Sequence, residues 1–238
     1  MTMRSRLAEA MVIAAATMPS GASEQTPRAI CDNKGGAFSI DQQIDGCAAL
    51  IKANPKDATA YNGRGNAYED KGRYDQAIAD YTQAIQLDPK FAGAYNNRGT
   101  AYEARKDYAR AIADFSQAIA LDPKLAPPLN NRCYDNAIIG QLQAALADCN
   151  QALALRPADA NTLDSRGFVY LKLGQFDKAA ADYDAALKIN PKIATSLFGR
   201  GVAKLKTGNS AAGNADIAAA KAIKADIADQ MAALGVSP

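Results

Sequence analysis

Histidine and tryptophan are absent from the 238 residues. Without an imidazole the commonest general base and the commonest zinc ligand are missing, and no serine or lysine lies in a recognisable nucleophile motif. An enzyme is therefore not expected, nor a metal or other cofactor. Charge of one sign is in no excess: 27 Lys and Arg against 25 Asp and Glu leave a formal +2 with no basic stripe, which argues against nucleic acid as a partner. Long apolar runs are lacking too. The mostly apolar stretch 7–18 is too short to cross a bilayer, and it lies between Arg4 and Arg6 on one side and Ser20-Gly21-Ala22 on the other. That order predicts a secretory signal over 1–22, cleaved after Ala22, with Glu9 inside the run keeping a short N-terminal helix as the alternative. No cysteine follows Ala22 directly, so no lipid anchor is expected. The mature chain is expected to be exported, periplasmic or secreted, soluble and without membrane insertion.

What the chain does have is a period. Pro55, Pro89, Pro123, Pro157 and Pro191 stand 34 residues apart, and the residues between them recur in register. One column holds Tyr61, Tyr95, Leu129, Leu163 and Leu197; another Arg64, Arg98, Arg132, Arg166 and Arg200; the next Gly65, Gly99, Cys133, Gly167 and Gly201. Tyr68, Tyr102 and Tyr170 follow, then an alanine column at 77, 111, 145 and 179, the column Tyr81, Phe115, Cys149 and Tyr183, and alanines at 84, 118, 152 and 186. Such a register predicts a helical repeat array. Small residues let two helices cross closely, aromatic residues fill the gaps beside the crossing, and proline, which has no amide hydrogen, is expected to end each unit and to open the next with its fixed φ. A single hairpin cannot bury its apolar stripe alone, whereas stacked neighbours share one continuous core.

The columns resemble those of the tetratricopeptide repeat (TPR), a helix–turn–helix unit. The resemblance implies an all-α chain folded as a right-handed α-solenoid, with four clear units at 58–91, 92–125, 126–159 and 160–193. A degenerate fifth unit and capping helix occupy 194–238, where Leu197, Arg200, Gly201 and Ala220 persist but Ala225 stands in the proline position. The Ala-rich stretch 210–234 is read as that cap, or as a frayed tail. Residues 23–57 form an N-terminal extension and degenerate half-repeat: Gln42 to Pro55 reads as a second helix, with Gly35-Gly36 interrupting its partner.

Two recurrences bear on stability. Cys31 and Cys133 fall in the glycine column, Cys47 and Cys149 in the aromatic column, and these columns face each other across a hairpin. The 16-residue interval predicts disulfides Cys31–Cys47 and Cys133–Cys149, against four buried thiols as the other reading. The second of them would reinforce a unit that has Asn136 in place of tyrosine and starts with Pro127-Pro128. The arginine column likewise has Asp80, Asp114, Asp148, Asp182 and Asp216 16 residues on, which predicts a ladder of ion pairs rather than an anion-binding row.

The resemblance also implies that ligand contacts come from the first helix of each unit. In the N-terminal half this concave face carries Asn62, Asn66, Glu69, Asn96, Asn97, Thr100, Glu103, Asn130, Asn131 and Tyr134. In the C-terminal half it carries Asp164, Phe168, Leu171, Phe198, Val202 and Leu205, so the groove changes from polar to apolar. Amides could grip the backbone of an extended peptide and the apolar end could seat hydrophobic side chains. Otherwise the asparagines are solvated surface and Phe168, Leu171 and Val202 pack under the cap. Asn66 and Asn97 match the clamp by which some relatives hold a C-terminal carboxylate, but Asn62, Pro127 and Asn131 replace its cations. The expected role is a non-catalytic adaptor, scaffold or assembly factor binding a protein or extended peptide, monomeric in preference. The alternatives are a groove for a small ligand or glycan, with Glu69 and Glu103 as the candidate carboxylates, and a self-associating scaffold.

Overall fold

A computed structural model of the protein describes residues 26–33 and 35–238; the expected signal at 1–22 lies outside them. The described residues form helices and connecting turns, with no strand: α1 (Pro27–Asp32), α2 (Ile40–Ala53), α3 (Ala58–Asp70), α4 (Tyr74–Leu87), α5 (Ala92–Ala104), α6 (Tyr108–Leu121), α7 (Ala126–Ile138), α8 (Leu142–Leu155), α9 (Ala160–Lys172), α10 (Phe176–Ile189), α11 (Ala194–Lys206), α12 (Ser210–Ile223) and α13 (Ile227–Ala233). Each odd-numbered helix from α3 to α11 packs on the even-numbered helix after it, and each such hairpin packs on the next. The chain is an all-α solenoid. The first helices α3, α5, α7, α9 and α11 also touch in series, which makes them the inner layer.

The turns explain why the period holds. The residue before each recurring proline is the cap of the second helix and is extended, with φ near −135° at Asp88, Asp122, Arg156 and Asn190. A following proline disfavours helical backbone at that position, so the helix stops there. The prolines lie in the turn, however, and do not open the next helix as the sequence reading had it. Asx side chains brace the same turns: Asp88 accepts from the Lys90 amide and Asp122 from the Lys124 amide, each at 3.0 Å. Lys224 adopts the same extended cap without a proline after it, which shows how far the stacking enforces the geometry. Pro127 and Pro128 start α7 in its first turn, where amide hydrogens have no helical partner in any case, so they are no defect.

Inside three of the hairpins the glycine of the recurring column lies under a ring, while Gly201 in the fifth meets Ile217 and the Gly213 carbonyl instead. A Cβ on Gly65 would come within 2.6 Å of the Tyr81 ring, one on Gly99 within 2.6 Å of Phe115, and one on Gly167 within 2.8 Å of Tyr183. In two hairpins the same crossing is covalent. Cys133 and Cys149 are bonded with Cα atoms 5.5 Å apart, and Cys31 and Cys47 with Cα atoms 4.6 Å apart. Both expected disulfides are present. The first ties the short α1 to α2 and leans on α3 at Gly63, where a Cβ would stand 3.0 Å from the Cys31 sulfur.

The expected ion pairs are bidentate. Arg64 donates from Nε and Nη2 to Asp80 at 2.7 and 2.8 Å, and Arg98–Asp114, Arg132–Asp148, Arg166–Asp182 and Arg200–Asp216 repeat the geometry. The remaining Nη1 reaches the previous hairpin, donating from Arg98 to Thr82, from Arg132 to Ser116, from Arg166 to Asn150 and from Arg200 to Asp184. One guanidinium therefore closes its own hairpin and staples it to its neighbour.

Two expectations follow. The first helices end on a residue of positive φ, glycine at 72, 140, 174 and 208, but Lys106 at φ 59° in the second hairpin. Lys106→Gly is expected to raise stability by about 1 kcal/mol, read by thermal denaturation. Cys133→Ala with Cys149→Ala is expected to lose about 3 kcal/mol. Cys133→Gly with Cys149→Tyr, which rebuilds the glycine–ring contact of the other hairpins, is expected to lose less.

Candidate functional site

The inner layer places the asparagines together. Asn97 on α5 donates from Nδ2 to Asn62 at 3.1 Å and Asn66 at 3.0 Å on α3, and Asn96 donates to Asn97 at 3.2 Å. Asn131 on α7 donates to Asn96 at 3.4 Å. The amides thus form a ladder across three hairpins and are not independently solvated. They remain partly open to solvent, and a cleft of about 430 Å³ beside α1 is lined by Asn62, Asn66, Arg28 and Thr59. Asn130 lines a second recess of about 170 Å³ with Asn131. Thr100 is bonded to its own helix, donating to the Asn96 carbonyl at 3.2 Å.

Beside the ladder lie carboxylates that are more buried than a solvating role requires. Glu69 accepts from the Tyr81 hydroxyl at 2.7 Å, and burial raises its pKa against that hydrogen bond. Glu103 occupies the same position in the next hairpin, where Phe115 replaces Tyr81 and offers no hydroxyl. Burial, helped by the charge of Glu69, pushes Glu103 up to about 7. The residue that sequence reasoning missed is Asp135. It stands in a column otherwise made of Ala67, Ala101, Val169 and Ala203, is 0% exposed, and neither of its carboxylate oxygens has a hydrogen-bond partner. Burial and the charge of Glu103 push it up to about 8. A lone carboxylate in an otherwise apolar column was the available signal. Tyr134 feels the same charges and is raised to about 12, chiefly by burial.

The apolar half of the groove is closed: of its two readings, the one in which Phe168, Leu171 and Val202 pack under the cap holds, and the one that made them a seat for hydrophobic side chains does not. Phe168, Leu171, Phe198 and Val202 are at most 7% exposed and share one core with Ile227, Met231 and Val236. The chain folds back after α12 so that α13 and the residues following it cover this face. Lys172 fastens the fold-back by donating to the Leu234 carbonyl at 3.3 Å. Asp164 is satisfied internally, accepting from Thr195 at 3.0 Å and Ser196 at 2.5 Å. Leu205 is half-buried against the same core. The 210–234 stretch is thus the second helix of the fifth hairpin followed by the cap.

Comparison with known proteins agrees with this architecture. Models of the tetratricopeptide repeat match residues 47–79, 65–106, 92–125 and 165–193. The chain carries tetratricopeptide repeats over these residues. Solved structures of like fold include YrrB, described as a TPR protein with an unusual peptide-binding site (23% identity, TM-score 0.60, covering 79% of this chain and 96% of that one). PilW, described as a type IV pilus biogenesis factor, matches at 22% identity and TM-score 0.72 over 82% of this chain and 90% of that one. The Cut9-Hcn1 assembly of APC/C matches at 18% identity and TM-score 0.75, over 90% of this chain but 43% of that one. A search of curated proteins finds no match to the chain.

The carboxylates have a consequence for stability. Asp135 and Glu103 bind protons more tightly in the folded chain than their ordinary values of 3.8 and 4.5 allow. Their contribution is fully present below those values and lost as pH rises through about 7 and about 8. Denaturation midpoints are therefore expected to fall from pH 5 to pH 9. Asp135→Ala is expected to flatten that slope and to gain about 1–3 kcal/mol at the alkaline end.

Proposed function

We propose that the protein is a non-catalytic binding module that takes an extended segment of another protein along the polar half of its concave face. The observation that carries this reading is the division of that face. The ladder of Asn62, Asn97, Asn96 and Asn131 stays open across α3, α5 and α7, while α13 fills the rest. Each amide offers both a donor and an acceptor, so a peptide backbone can exchange for the bonds they make with one another, whatever its side chains. The groove lacks the cations of a carboxylate clamp, which argues against an anchored C-terminus and for a segment passing through.

Self-association through a captured terminal helix is the weaker reading, because the apolar half already holds the chain's own. A monomer fits better. The disulfides support an oxidising compartment, since cytosolic thiols are kept reduced, and accord with export to a periplasm or secretion. Among the described residues no helix is long and apolar enough to cross a membrane.

The test is a displayed library of random dodecapeptides selected on the purified protein. Selected peptides are expected to lose about tenfold in affinity on Asn97→Ala, equivalent to about 1.4 kcal/mol. The same variant is expected to lose about 1 kcal/mol of stability, because Asn97 bridges two hairpins. Failure to enrich any peptide, or enrichment indifferent to groove variants, would overturn the reading.

A further inference from the structure

The fold pairs its buried carboxylates almost everywhere. The five ladder aspartates have their arginines and Asp164 has two hydroxyls. Asp135 has nothing, and Glu103 beside it receives no hydrogen bond or cation from the described residues. Glu69, one hairpin earlier on the same face, has a single hydroxyl and likewise no cation. What is missing is a donor of positive charge. An uncompensated buried carboxylate destabilises the fold that holds it, and a cation supplied from outside removes that penalty. Both Glu69 and Glu103 flank the asparagine ladder, so a backbone held by the amides would carry its side chains past them.

The geometry points to a basic segment as the ligand: an extended stretch with arginine or lysine three residues apart, one on Glu69 and the next on Glu103 with Asp135 behind it. The spacing follows from the packing. Helices in contact, as α3 and α5 are, lie about 8–10 Å apart, and a chain extended as polyproline II advances about 3.1 Å per residue with three residues per turn, so side chains three apart share a face at about that distance. The guanidinium suits the site best, because it carries five N–H donors and no acceptor. Asp135 does not touch the ligand in this arrangement; a cation held on Glu103 favours loss of the Asp135 proton to solvent, and the charge so formed strengthens the field there. The inference rests on the groove reading above, and adds to it the charge and spacing of the segment.

The experiment uses two fluorescent, amidated decapeptides of glycine, serine and alanine, one with arginine at its fourth and seventh positions and one with glutamine there. Affinity is read by anisotropy on the full chain. The arginine peptide is expected to bind tighter by about tenfold or more. Glu103→Gln and Asp135→Ala are each expected to reduce that advantage and Glu69→Gln with Glu103→Gln to abolish it, while thermal melts show the variants folded. A purely structural Asp135 would raise stability on replacement and leave the arginine advantage untouched, which overturns its part. Equal binding of the two peptides, weakened by Asn97→Ala, overturns the charge inference and leaves the groove standing. An advantage that is undiminished by Glu103→Gln or survives the double replacement, or no binding of either peptide, overturns the inference outright.

Discussion

One crossing per hairpin sets the shape of this molecule. Where the two helices of a unit meet, one side must be nearly flat and the other must fill the space above it. Gly65 under Tyr81, Gly99 under Phe115 and Gly167 under Tyr183 solve this by size, with ring atoms where a Cβ would stand. Cys133–Cys149 and Cys31–Cys47 solve it by a bond. Because these crossings are alike, successive hairpins stack alike, and the Nη1 of Arg98, Arg132, Arg166 and Arg200 finds a partner on the preceding hairpin. The groove follows from that regularity. Its inner residues line up because the crossings behind them do.

Much of this was legible because a repeat writes each constraint several times. The arginine–aspartate pairing, the disulfides and the hairpins came from residues whose columns had one physical solution. What escaped depended on contacts between units far apart in the chain. The closure of the apolar half was one of two readings left open, because it rests on α13 joining the core of Phe168 and Val202, and nothing in the period decides whether a short helix after the last hairpin turns inward. The asparagine ladder was read as a row of separate amides because Asn97 lies one position off the column of Asn62 and Asn96. Only the lean of one helix on the next brings Asn97 within 3.1 Å of Asn62. The glycines that end the first helices, at 72, 140, 174 and 208, also recur at the period, but no aromatic or charge drew attention to them.

The polar and apolar halves of the concave face divide by what each can leave exposed. An apolar face open to water is an aggregation hazard, so units four and five keep theirs only by covering it with the end of the chain. An amide face has no such need. Its groups are hydrated when empty and bond to one another, so units one to three can stand open and rigid at once. The face left open is therefore the one that water can also occupy, and in the proposed groove selectivity would come from charge rather than from burial.

The third hairpin is where these demands collide. α7 carries Asp135, whose two oxygens have no partner, and Asn136, whose side-chain oxygen has none either, while its amide donates to Asp148 at 3.3 Å. An unpaired buried polar group costs about 1–3 kcal/mol. A bridge across a loop of this length contributes about 3 kcal/mol, and Cys133 lies two residues from Asp135 on the same helix. The two magnitudes match. No other interior hairpin has a disulfide, and no other places a carboxylate in that apolar column. A covalent crossing is what allows α7 to hold an uncompensated acid in place without the hairpin opening to let water hydrate it.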